Sequence, residues 1–279
     1  MIKKNSSPNL ASVVQASQLE CAESDLLSLP SLPNREFTVN LSPVRTTKFL
    51  FLVVLMLTIA NIIGQFSFYF LPYYPLRNVF RQIFDVGGEG NIPALYSVFL
   101  LLFSGIILGI IADVKKAAHS PYTRYWQILA AIFVFLSIDE AISIHERVGN
   151  PLRNTLNVGG FFYFAWVIPA SILVVIFLLG FFRFILALPT NTRALFLLAG
   201  GIYIAGTLGM ESVSGYYAHL QGEDNIVYAG LTAIEELLEM GGIVIFIYGL
   251  LSYLKLYLPE VRCRFNLIED KPKTANPNL

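Results

Sequence analysis

The chain has 279 residues, 55% hydrophobic and only 14% charged, and its nineteen Lys and Arg balance nineteen Asp and Glu for a formal net charge of zero. Its mean hydropathy of +0.62 and low charge lie far from the soluble average of about 25% charged residues, while its dispersed basic residues form no footprint for nucleic acid. A water-soluble globular domain and a nucleic-acid binder are thereby excluded, and a lipid bilayer is the expected partner.

Residues 1–45 come first, rich in Ser, Pro, Asn and Leu (LLSLPSLPNRE) and without a sustained period. They read as a disordered tail, available to a binding partner of unknown identity. Six apolar stretches follow, at about 48–71, 93–114, 122–146, 160–187, 193–219 and 226–256, each long enough to cross a hydrocarbon core of about 30 Å. The predicted fold is therefore all-α, a polytopic membrane bundle of six helices over 46–258, closed by a second tail at 259–279. The first stretch lies behind a long polar lead, so it is expected to remain as a span rather than be cleaved as a signal peptide.

The basic residues orient the bundle. Placing the N-terminus in the cytoplasm puts fifteen Lys and Arg in inner segments and only Arg77, Arg81, Arg147 and Arg153 in outer ones. This is the asymmetry of the positive-inside rule, and it predicts that both termini are cytoplasmic in a cell or inner membrane. Cys21 and Cys263 then fall in reducing surroundings, where no disulfide is expected.

Between the first two spans, Leu76, Val79, Phe80, Ile83 and Phe84 repeat at helical spacing among Arg77, Arg81 and Asp85. That pattern predicts a short amphipathic helix in the outer interface, serving as an anchor or a lid. Gly105 with Gly109, and Ala205 with Gly209, set small residues four apart on spans two and five, where they are expected to let helices pack closely.

Ionisable residues interrupt spans three (SIDEAISIHERVGN), five (GMESVSGYYAH) and six (TAIEELLEMGG). A charge in hydrocarbon costs at least about 2.5–3.5 kcal/mol, so such residues are site candidates by default. At 1.5 Å per residue, Asp139 lies about 25 Å and Glu211 about 27 Å above the inner ends of their spans, with Glu235 and Glu239 about 14 and 20 Å below the outer surface. All reach the outer half of the bilayer. Helical spacing aligns Tyr228, Thr232, Glu235, Glu239 and Gly242 on span six, with Glu236 at the margin. It likewise aligns Thr207, Glu211, Ser214 and Gly215 on span five, with His219 at the edge. On a regular span three, Asp139, Ser143 and Glu146 share a face while Glu140 and His145 point to opposite sides of it. Asn61 and Gln65 belong to an uncharged stripe on span one.

Crowded carboxylates with no Lys or Arg at their depth must share protons or a cation. The residues proposed to hold a divalent metal are Asp139, Glu211, Glu235, Glu239, His145 and His219, supported by Ser143, Glu146, Glu236, Asn61 and Gln65. His145-Glu146 lacks the second histidine of H-E-x-x-H, which excludes a zincin. With three histidines in all, and His119 on the opposite side, a three-histidine zinc site is excluded within one chain.

The mixture of intramembrane Ser, Asp and His is loosely similar to that of membrane hydrolases related to alkaline ceramidases. An H-x-x-x-H pair is lacking and six rather than seven spans are predicted, so no residue role is carried over. Three functions remain open on the sequence: an outward-facing metal-dependent membrane enzyme, a cation- or proton-coupled transporter, and a non-catalytic scaffold. The transporter needs a polar route through the apolar inner halves of spans five and six, which a homo-oligomer interface would have to supply.

Overall fold

The computed structural model describes residues 42–257, so the predicted tails, apart from residues 42–45, lie outside the described residues. Among the described residues every regular element is helical. Six helices are long and apolar enough to cross a membrane, as the hydropathy pattern predicts.

Helix α1, Pro43–Phe70, starts on a proline whose missing N–H costs nothing at a helix N-terminus. Thr47 and Thr58 on it spend their hydroxyl protons on the carbonyls of Pro43 and Val54, which removes two donors from the lipid-facing surface. The amphipathic segment forms α2, Arg77–Phe84. Helix α3, Ile92–Ala117, is capped by Asn91, whose Oδ1 accepts the Ala94 N–H at 3.1 Å.

Helix α4, Thr123–Ile142, brings the first correction to the sequence reading. The expected span 122–146 does not run on as one helix: Ser143 adopts the left-handed conformation (φ 55°, ψ 51°), and a new helix, α5, covers Ile144–Leu156. A single residue in this region changes the chain's direction, so the side chains before and after it do not follow one helical periodicity.

After a 3₁₀ turn at Gly160–Phe162, α6 spans Val167–Ala187, which moves the expected start of span four from 160 to 167. Helix α7, Thr190–Ile204, passes through a π-helical turn, Ala205–Met210, into α8, Glu211–Gln221. Helix α9, Ile226–Tyr257, is the most buried span and packs against α1, α3, α7, the π turn and α8.

The apolar core occupies the end of the bundle near the α3–α4 turn. Trp126 there meets Phe184 and Tyr253 at ring distances of 5.2 and 5.1 Å, while Phe246 stacks on Phe133 at 4.7 Å and meets Phe196 at a tilt at 4.6 Å. On the periphery α6 exposes Ile172, Leu173, Ile176 and Leu179, a surface suited to acyl chains. Of the small-residue pairs, Gly105 meets Val134 of α4, but a Cβ on Gly109 or Gly209 would meet nothing within 4 Å. The close helix approach on the fifth span is made by Gly206 instead, where a Cβ would lie 2.9 Å from the Glu235 carbonyl oxygen and from Glu239 Cγ.

Candidate metal and carboxylate centre

The break at Ser143 builds the outer part of the site. With the chain turned, Asp139 reaches both polar groups of the residue six positions on. Its Oδ1 accepts the His145 backbone N–H at 3.1 Å, and its Oδ2 lies 2.9 Å from His145 Nδ1. The carboxylate thereby caps the start of α5, whose N-cap Ser143 makes no side-chain cap bond. The distorted helix end that a regular span three lacked is what lets Asp139 and His145 act together.

Opposite α5 lies the segment between α2 and α3, Asp85 to Asn91. Asn91 Nδ2 donates to the Asp85 carbonyl at 2.6 Å, and the Val86 N–H donates to Asn61 Oδ1 at 3.4 Å. Gly87 lies so close to α9 that a Cβ there would sit 3.1 Å from the Thr232 side chain. Pinned to α1 and α9, this loop carries Glu89 to α5. Glu89, His145 and Glu146 each offer a ligand atom, and these atoms lie within 4.8 Å of one another. Since Asp139 holds Nδ1, Nε2 is the nitrogen His145 has free.

Electrostatics in this outer group follow from the pairing. Burial works against charge on His145, but the hydrogen bond and charge of Asp139, with Glu146 and Glu211 beyond, push its pKa up to about 9. Glu146 is raised by burial and then by the neighbouring Glu89 charge. Without a cation, His145 is thus an imidazolium among carboxylates at neutral pH.

Trp166 joins the outer group to a deeper one. Its ring lies 4.8 Å from the His145 ring, and its Nε1–H donates to Glu211 Oε1 at 3.0 Å. Glu211 follows directly on the π turn, a local irregularity common at functional sites. Ser214 links Glu211 to Glu235: its Oγ lies 3.1 Å from both the Glu211 carbonyl oxygen and Glu235 Oε2. Glu235 is buried, at 7% exposure, and its Oε2 accepts the Ser214 Oγ–H at 3.1 Å. Glu239 continues this line inward within electrostatic reach of Glu140, Glu211 and His145, with Thr207 beside it. Thr207 Oγ1 is buried and makes no hydrogen bond of good geometry.

Of the residues named from the sequence, Asp139, His145, Glu146, Glu211, Glu235 and Glu239 therefore belong to one connected region, with Glu236 half-buried at its edge. Ser143 contributes its backbone conformation. Asn61 anchors the Glu89 loop, and Gln65 is buried on the same helix with Oε1 unpartnered. His219 stands apart: it is exposed and packs against Gly159 and Tyr163. Sequence reasoning passed over Glu89 and Trp166. The compact GGEG segment signalled a turn, but the long-range fold brings its acid to α5.

A family model described as "Domain of unknown function (DUF8692)" matches residues 49–254, which reaches into all six spans and takes in every residue of this centre. The chain belongs to that family. No curated protein and no solved structure matches it. The whole centre lies inside the family's domain, whereas both predicted tails lie outside it.

Proposed function

We propose that the protein is a metal-dependent membrane enzyme whose divalent cation is held by Glu89, His145 Nε2 and Glu146 at the outer end of the bundle, with both termini cytoplasmic. The observation that carries this reading is the convergence of ligand atoms from Glu89, His145 and Glu146 within 4.8 Å, with a carboxylate 2.9 Å from His145 Nδ1. A carboxylate–histidine–metal relay has this form: the second carboxylate sets the tautomer and aims Nε2 at the ion. One imidazole and two carboxylates suit Zn²⁺, Mn²⁺ or Fe²⁺.

Three protein ligands leave coordination positions for water or substrate, and the ion would supply an acidified water or a polarised carbonyl or phosphoryl oxygen. Glu211 and Glu235 are assigned to move the proton, since Ser214 links them and Trp166 donates to Glu211. Transport by the same acids is less well supported, because the contacting rings of Phe133, Phe246 and Phe196 occupy the bundle toward its other end.

Elemental analysis of full-length protein purified in detergent tests the proposal. Wild type is expected to carry roughly stoichiometric metal, and the double variant Glu89→Gln/His145→Ala to lose it while keeping its helical content. Metal-free wild type that gains no thermal stability from Zn²⁺, Mn²⁺ or Fe²⁺ overturns it.

A further inference from the structure

We propose that the turn between α3 and α4, at the end of the bundle opposite the carboxylate centre, is a binding site for a phosphate group supplied by an anionic lipid headgroup. A cavity of about 520 Å³ opens there, and its polar lining is Lys116, His119, Ser120, Thr123, Arg124 and Gln127. No carboxylate lines it. Two permanent cations and an imidazole around one cavity favour an anion, and the fork of Arg124 matches phosphate oxygens.

The backbone adds to this field. Helix α4 starts at the cavity with no side-chain cap and no acidic residue in its first turn, so the positive end of its dipole is left uncompensated. The opposing carbonyls at the end of α3 are already satisfied: the Ser120 N–H donates to Lys115 O and the His119 N–H to Lys116 O, both at 3.0 Å. His119 occupies the left-handed position of this cap (φ 51°), where glycine is the low-strain choice. The histidine instead brings an imidazole to the cavity wall. Thr123 spends its hydroxyl proton on the Ser120 carbonyl at 2.8 Å, which leaves Lys116, Arg124, His119, Gln127 and the Ser120 hydroxyl as donors to a ligand.

The surroundings identify the source of the phosphate as a lipid. Tyr122 and Tyr125, half-buried with rings 5.8 Å apart, and the exposed Tyr257 at the end of α9 form an aromatic belt at this end of the bundle, outside the buried Trp126 and Tyr253. Such belts sit at headgroup level, and basic pockets between membrane helices at that level receive anionic headgroups. This site is independent of the metal centre, about 39 Å away along the 26 residues of α3.

The test uses full-length protein in nanodiscs of phosphatidylcholine with or without phosphatidylglycerol, and native mass spectrometry to read retained lipid. Wild type is expected to retain phosphatidylglycerol over phosphatidylcholine. The double variant Lys116→Gln/Arg124→Gln, both positions exposed, should weaken that retention about 25-fold, roughly fivefold per charge. Lys255→Gln, outside the cavity, should leave it unchanged. Equal loss in Lys255→Gln would reduce the effect to diffuse attraction and overturn the site, as would full retention by the double variant. Competition by inorganic phosphate supports the phosphate chemistry; binding of inorganic phosphate without lipid retention overturns the lipid source.

Discussion

Replacing Asp139 by Asn tests the relay with almost no change in shape. Asp139 presents two acceptors, one to the His145 backbone N–H at 3.1 Å and one to Nδ1 at 2.9 Å. Asparagine has only one carbonyl oxygen. If that oxygen keeps the backbone N–H, the amide NH₂ faces Nδ1, which must then become the acceptor. The proton moves to Nε2 and occupies the lone pair needed by the ion. If the amide flips, the α5 N-terminus loses its cap instead, at about 1 kcal/mol. Losing an outer carboxylate typically weakens metal binding by 10–100-fold. At a metal concentration of about 100 times the wild-type Kd, ligand binding stabilises wild type by about 2.7 kcal/mol, and the variant would retain only about 0.4–1.4 kcal/mol. Isothermal titration of chelator-stripped protein with Zn²⁺ or Mn²⁺ measures the affinity, and thermal melting with and without metal measures the linkage. An Asp139→Asn affinity equal to wild type would refute the relay, and an unchanged His145→Ala affinity would remove the histidine from the site.

Glu89→Gln should lower metal affinity at least tenfold while leaving the metal-free melting temperature within error, because the side chain is exposed and its loop is held by Asn61, Asn91 and Gly87; a lowered metal-free melting temperature would assign it a structural role. Gly206→Ala should destabilise by about 1–3 kcal/mol, since the new Cβ meets α9 backbone at 2.9 Å. Gly209→Ala, with open space around it, should be nearly neutral, and equal melting of the two variants would contradict the packing described. In metal-free protein the pKa of His145 is raised from 6.5 to about 9, so its pairing contributes fully below pH 6.5 and is lost as pH climbs through about 9. The melting difference between wild type and His145→Ala should therefore shrink over that window, and a difference that grows with pH would reverse the sign of the argument.

Much of this protein was legible in its residue order. Hydropathy marks all six spans because every backbone polar group in lipid must be satisfied within its own helix, which makes spanning segments long, apolar and local in their signal. Depth along regular helices placed Asp139, Glu211, Glu235 and Glu239 in one half of the bundle, since rise per residue needs no tertiary information. Local periodicity failed where the helices were not regular. Nothing in Ser143 announces a left-handed turn as glycine would, yet that turn joins Asp139 to His145. The π turn before Glu211 shifts a face in the same way. Glu89 and Trp166 joined the site, and His219 left it, through contacts between segments far apart in the chain. Such contacts come from how loops fold back over helix ends, where the pinning groups, Asn61 to Val86 and Gly87 to Thr232, are themselves long-range. Depth and charge are properties of each helix alone; which charges meet depends on how the helices and their loops pack.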